Sequence, residues 1–146
     1  MLIGSCPVSG DWYEADIAER IGDYSTAFRE YKALADDGEI VALHNLGVMY
    51  YNGSGVHRNY EKAIQCFLKA AEQGIAGSQN NLGYIYAHGH GVQKNYVKSK
   101  MWFNIANLNG EKTANKNLEI IDTLMTSTER EEAMKLAREW IGNFRQ

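Results

Sequence analysis

At 146 residues, with 45% hydrophobic and 11% aromatic residues, the chain has the length of one domain and enough apolar content for a core. Its net charge of -3 and pI near 5.8 lack the basic footprint of a nucleic-acid binder. No run of 18 apolar residues offers a membrane span.

Residues 1–10 read as a disordered tail or a cloning remnant. Leu2-Ile3-Gly4-Ser5-Cys6 loosely resembles a bacterial lipoprotein cleavage site, but the positive and apolar regions that should precede it are missing. The compartment is left open, with the cytoplasm as the default. Pro7 is the only proline, so none interrupts the pattern from Asp11 onward. Cys66 lies in an apolar helical stretch and reads as a small buried hydrophobe; a bridge to Cys6 is not expected.

The first unit, 11–38, opens with a helix marked by Trp12, Ala15, Ala18 and Ile21. Gly22-Asp23 turns it into a second helix with Ala27, Tyr31 and Leu34 on one face, closed by Gly38. In the second unit, 39–74, Ala42, Leu43, Leu46, Gly47 and Tyr50 form the core stripe of the first helix. Gly53 and Gly55 end that helix. Asn59 caps the next one, whose apolar phase is Ala63, Phe67 and Ala70, and Gly74 closes it. The third unit, 75–110, repeats this pattern with thirteen identities to the second. Among them are Leu82-Gly83, Tyr86, Gly89, Gly91-Val92, Asn95-Tyr96, Phe103 and Gly110. The last unit, 111–146, keeps Asn117-Leu118 in phase and loses the glycines. Its final helix reads Ala133, Leu136, Ala137, Trp140, Ile141 and Phe144. Thr126-x-x-Glu129 and Thr128-x-x-Glu131 each fit a capping box before it.

A 36-residue period is one supersecondary unit that buries its apolar face only by stacking on its neighbours. The expected fold is all-α, a right-handed solenoid of helix-turn-helix repeats with about four helix pairs, the terminal ones degenerate. Gly47 and Gly83 fall inside helices, where glycine costs about 1 kcal/mol relative to alanine. A cost repeated at the same phase predicts a close helix–helix approach there.

The motif Ala42-x-x-x-Leu46-Gly47-x-x-Tyr50-x-x-Gly53-x-Gly55-Val56-x-x-Asn59-Tyr60-x-Lys62-Ala63 resembles the Sel1-like repeat family, a relative of the tetratricopeptide repeats. The copy from Leu82-Gly83 to Lys98 does so as well. The resemblance covers residues 11–146 and implies adaptor and scaffold roles in complex assembly, signalling and host or envelope contacts. It also implies export as an alternative compartment, since many bacterial members are exported. By the likeness to tetratricopeptide repeats, the first helix of each unit lines a concave face.

Positions that vary between units are where specificity can reside. On the first helices, opposite the core, they are Trp12 and Asp16, then His44, Val48, Tyr51 and Asn52. Asn80, Tyr84 and His88 follow in the third unit, and Lys116 and Ile120 in the fourth. Rings supply buried area and amides bind backbone, so this composition suits an extended or helical protein segment. Asn45, Asn81 and Asn117 recur in phase and read as structural hydrogen-bonders. The expected partner is a protein or peptide, bound by a monomer with at most weak self-association. Stacking of solenoid ends through an apolar edge near Trp12 is the structural alternative.

Signals for chemistry are weak. His88-Gly89-His90 offers two imidazoles where zinc needs three or four ligands. A cysteine-rich branch of the family is linked to β-lactam binding, which makes a β-lactam-directed or metal-assisted hydrolase the enzymatic alternative. That branch pairs cysteines within each repeat, and here only Cys66 lies in one. There is no Ser-x-x-Lys, and Lys112-Thr113-Ala114 lacks the glycine of Lys-Thr-Gly. Asp36, Asp37 and Glu39 read as inter-helix or solvated acids, and no two acids are placed together for acid–base work. No enzyme activity, cofactor or metal is expected.

Overall fold

The structure is a computed structural model and describes residues 10–144. Among these are eight helices and no strand. They are α1 (Trp12–Ile21), α2 (Tyr24–Asp36), α3 (Ile40–Asn52), α4 (Tyr60–Glu72), α5 (Ala76–His88), α6 (Tyr96–Leu108), α7 (Thr113–Asp122) and α8 (Ser127–Phe144). The all-α reading and the helix pairs therefore stand. No helix among the described residues is long and apolar enough to cross a membrane. The chain divides into two compact units between Cys66 and Phe67, within α4.

In the first unit Asp23 caps α2 as its place before Tyr24 implies, and Asp11 caps α1, which the sequence had not marked. Asp11 accepts from the N–H groups of Tyr13 and Glu14, at 2.8 and 3.3 Å. Asp23 accepts from the Thr26 N–H at 3.2 Å, and hydrogen bonds from Thr26 hold its carboxyl below the usual carboxylate range. Between these caps, Ala15 and Ala18 of α1 pack with Ala27, Tyr31 and Leu34 of α2 and with Ala42 and Met49 of α3. Small side chains on α1 let α2 approach closely.

Gly10 departs from the expected tail. It is buried, and a Cβ there would fall 2.7 Å from the Glu30 carbonyl oxygen and 2.7 Å from Leu34 Cγ. The buried Glu30 side chain accepts from the neighbouring Asp11 N–H at 3.1 Å. Packing on α2 thus begins one residue before the expected boundary. The remainder of the expected tail, Cys6 included, lies outside the described residues; Cys66 is buried.

Tyr31 is buried and donates its hydroxyl to Glu19 Oε2 at 2.7 Å. Burial, and then the Glu19 carboxylate, push its phenol above the ordinary value of 10. The unfolded tyrosine therefore loses its proton first as pH rises, and from that point the folded state loses relative stability. The contribution is fully present below pH 10 and declines above it. Urea denaturation of the wild type is expected to show stability falling by up to about 1.4 kcal/mol per pH unit above that value. Tyr31→Phe should flatten the slope; an identical slope in the variant would refute the assignment.

In the second unit α6 packs against α5, α7 and α8. Gly83 sits where α5 meets α6, and a Cβ there would lie 2.5 Å from two atoms of the Phe103 ring. This is the close approach predicted from its position inside a helix. The Ser99 hydroxyl donates to the Gly83 carbonyl at 2.7 Å and ties the same crossing. Phe103, Ile121, Met125 and Ala133 form the core that α6 shares with α7 and α8. Of the two capping boxes, the one used is that of Thr126. Its N–H donates to Glu129 Oε2 at 2.8 Å, and the Glu129 N–H returns to its hydroxyl at 3.2 Å. Phe144, the last residue of α8, is 49% exposed. It lies against Trp140 at 4.4 Å, and Trp140 in turn makes the inward contact, with Trp102 at 5.3 Å.

The 36-residue period extends to contacts. The Asn59 N–H donates to the Tyr50 carbonyl and the Asn95 N–H to that of Tyr86, each at 2.8 Å. Lys62 lies 5.4 Å over the Tyr50 ring, and Lys98 5.4 Å over Tyr86. Arg58 over Tyr60 and Lys94 over Tyr96 form a second matched pair, at 5.2 and 5.5 Å.

Candidate functional site

The variable positions of the first unit do not share one cavity. Trp12 sets its ring edge on Tyr31 at 6.0 Å. It lines a hollow with Tyr13, Glu14, Glu30 and Leu34, which none of the α3 positions enters. Asp16 is exposed and pairs with Arg20 at 3.7 Å. His44, Val48 and Tyr51 are half-buried along α3, with Tyr51 tilted against Tyr60 at 5.2 Å, and Asn52 is exposed at the helix end. The outer face of α1 carries a stripe at helical spacing, with Tyr13 75% and Ile21 74% exposed and Ile17 between them.

The second unit brings its variable positions together. A cleft of about 480 Å³ is lined by Tyr84, Ala87 and His88 of α5, by Ile120 and Ile121 of α7, and by Leu124 just beyond. Tyr84, His88 and Ile120 were expected on a binding face, and all three are exposed. Lys94, Tyr96, Phe103 and Asn117 complete the lining. Asn80 and Lys116 are not part of it. The Asn80 amide is occupied on both sides. Its oxygen accepts from Asn117 Nδ2 at 2.9 Å, and its nitrogen donates to the Thr113 hydroxyl at 3.3 Å. The structural bond expected of Asn117 is therefore the one that fastens α7 to α5.

Tyr96 and Phe103 escaped the sequence reading because they belong to the repeated pattern, and Lys94 because it lies in the loop before α6, outside the first-helix stripe. Tyr96 and Phe103 match Tyr60 and Phe67, and Lys94 matches Arg58. Positions shared between repeats were assigned to the scaffold, yet a scaffold side chain can present one face to a cleft. For Lys94 and Tyr96 the usable signal was their place at the loop and the start of the second helix; Phe103, midway along α6, carried none.

Local chemistry orients the rings. His88 Nδ1 lies 2.9 Å from the Tyr84 carbonyl. A carbonyl only accepts, so Nδ1 carries the proton and Nε2 is the acceptor of the neutral ring. This bond within α5 stacks His88 on Tyr84, with centroids 4.0 Å apart, and His90 follows at 5.4 Å. The two histidines are thus part of a ring stack. Among the described residues, no group of three His, Cys, Asp or Glu is placed to hold a metal. The cleft lining includes no carboxylate. What the cleft can do is bury an apolar group between rings and branched side chains, beside one ammonium.

Comparison with known proteins bears on the repeats and the fold. The Sel1 repeat model matches residues 40–75 and 76–111, one residue later than the sequence boundaries and with the same period. The crystal structure of a protective antigen present in uropathogenic Escherichia coli strains, displaying an SLR fold, is similar with a TM-score of 0.83 and 30% identity. The match covers 89% of this chain and 29% of that one. A Sel1 repeat protein from Oxalobacter formigenes is similar with a TM-score of 0.67 and 30% identity, over 86% of this chain and 58% of that one. The chain therefore spans about a third to three fifths of the length of these proteins. No curated protein matches it. Sel1 repeats are generally protein–protein interaction modules. Residues 40–75 and 76–111 of this chain are thus two Sel1 repeats, within an all-α repeat fold shared with proteins of the SLR type.

Proposed function

We propose that this protein is an interaction scaffold that binds a segment of a partner protein on the first helices of its repeats, with the cleft beside α5 and α7 as the anchor. The supporting observation is the convergence of Tyr84, His88 and Ile120 on one cleft with exposed apolar walls. These positions vary between repeats, so the scaffold does not require them. The walls lie on helices that are already formed, and little ordering is lost on the protein side. Micromolar affinity, about -8 kcal/mol, is ordinary for such a surface. The reading involves no catalysis, cofactor or metal.

The test is photo-crosslinking in living cells, with benzoylphenylalanine placed at Tyr84, at Ile120 and, as a reference, at the exposed Lys135 of α8. Adducts of one partner are expected at the first two positions and not at the third. Equal adducts at Lys135, or none at Tyr84 and Ile120, would reject the cleft as the anchor.

A second reading, association between copies, rests on the exposed Tyr13, Ile17 and Ile21 of α1. Light scattering should then show a dimer that Ile21→Arg converts to monomer. A wild-type monomer at 100-fold the working concentration would dismiss it.

A further inference from the structure

We infer that the cleft selects an internal peptide segment in which an apolar residue stands beside an aspartate or glutamate; this rests on the docking reading above and specifies its partner. The first observation is the distribution of charge. The protein carries eighteen acidic residues, eleven of them between Asp11 and Glu72. From Gln73 to Gly110 there is none, whereas Lys94, Lys98 and Lys100 and two histidines all fall there. A protein of net charge -3 therefore sets one repeat apart as basic.

The second observation is how those lysines are used. Lys100 is buried and neutralised by Asp122. Among the described residues no carboxylate pairs with Lys94 or Lys98. Each instead lies over a tyrosine ring, at 5.5 Å from Tyr96 and 5.4 Å from Tyr86. The ring restrains the ammonium without neutralising it. Lys94 lines the cleft itself, beside the imidazole of His88.

The third observation is the wall. Phe103, Ile121 and Leu124 form an apolar lining behind that charge. A buried apolar side chain would supply contact area, and a neighbouring carboxylate would meet an ammonium that no carboxylate among the described residues pairs with. Complementarity of this kind gives selectivity more than affinity. The lining favours a peptide over a nucleic acid. It holds one lysine and no arginine, whereas a single-stranded nucleic acid needs a track of cations along its backbone.

The experiment is selection of a displayed random library of end-blocked decapeptides on the full chain, followed by fluorescence polarisation with the enriched sequences. Binding is compared among wild type, Lys94→Glu and Ile120→Glu, each checked for unchanged helix content by circular dichroism. Enriched peptides should share a Leu, Ile, Met or Phe within two positions of an Asp or Glu. Lys94→Glu should weaken them at least tenfold, and the same peptide with Asn or Gln in place of the acid should lose that sensitivity. If enriched peptides carry no acidic bias and depend on Ile120 alone, the charge inference falls and the docking reading survives. If binding ignores both variants, or no peptide is enriched, both fall. Displacement of the peptide by a ten-residue oligouridine at equal concentration would overturn the inference in favour of a polyanion site.

Discussion

Gly55→Ala is expected to destabilise the fold by about 3 to 5 kcal/mol, the largest effect of any single methyl group in the first unit. Gly55 has φ +70°, and a left-handed conformation costs a side-chain-bearing residue about 1–2 kcal/mol. The larger part is steric. An added Cβ would lie 2.0 Å from the Tyr24 carbonyl oxygen and 2.4 Å from its carbon. That carbonyl belongs to the first residue of α2, so no rotamer change removes the clash and the α3–α4 loop must lift away. Gly22→Ala separates the two contributions. Gly22 has φ +80° and nothing within 4 Å of an added Cβ, so it should lose only the conformational part. Thermal unfolding followed by circular dichroism should place the Gly55 variant about 10 °C below wild type, at roughly 3 °C per kcal/mol for a domain of this size. Equal losses at Gly22 and Gly55 would show that the contact with α2 carries no energy.

Removing the carboxylate of Asp122 is the second large effect. The Lys100 side chain is 8% exposed and its ammonium is bonded to Asp122, whose own side chain is 36% exposed. Asp122→Asn leaves a charge facing the interior without a counter-ion. For fully buried pairs that error costs about 3–5 kcal/mol, and partial access of water to Asp122 brings the expectation to about 2–3. Lys100→Met keeps a buried stem of similar length and removes the charge, so it should cost under about 1 kcal/mol. In the double variant the loss should return toward that of Lys100→Met alone. Urea denaturation of the four proteins closes the cycle. Single variants that each cost under about 0.5 kcal/mol would make this an ordinary surface pair.

The pair also shows where sequence reading stops. Nothing in Ser99-Lys100-Met101 marks Lys100 as buried, and its partner lies 22 residues away on another helix. The period located Gly83 inside a helix, and the helical phase of its neighbours was enough to predict a close crossing there. The atom it makes room for, on Phe103, required the packed helices. Asn80 is a similar case. Its phase put it on the binding stripe, yet Asn117 and Thr113 occupy its amide. A side chain facing away from its own helix's core can still meet the next helix, and phase alone does not report how near that helix comes. For the same reason Lys94 was absent from the expected site. It lies in the loop before α6, and only the packing of the helices sets it on the wall of the cleft.

Helix number, helix boundaries, capping residues and the repeat were determined by the sequence itself, because each depends on neighbours within four residues or on self-similarity at 36. Asp23, Asn59 and Asn95 act as caps through bonds to N–H groups three residues on, and such short-range geometry is written in the residue types. Only the tertiary structure decided which variable side chains converge. It gathered Tyr84, His88 and Ile120 around one cleft and tied Asn80 into the frame. It also left Trp12 in a different hollow. Convergence depends on interhelical distances, and those follow from the summed volumes of side chains at each crossing, a quantity that no single stretch of the chain contains.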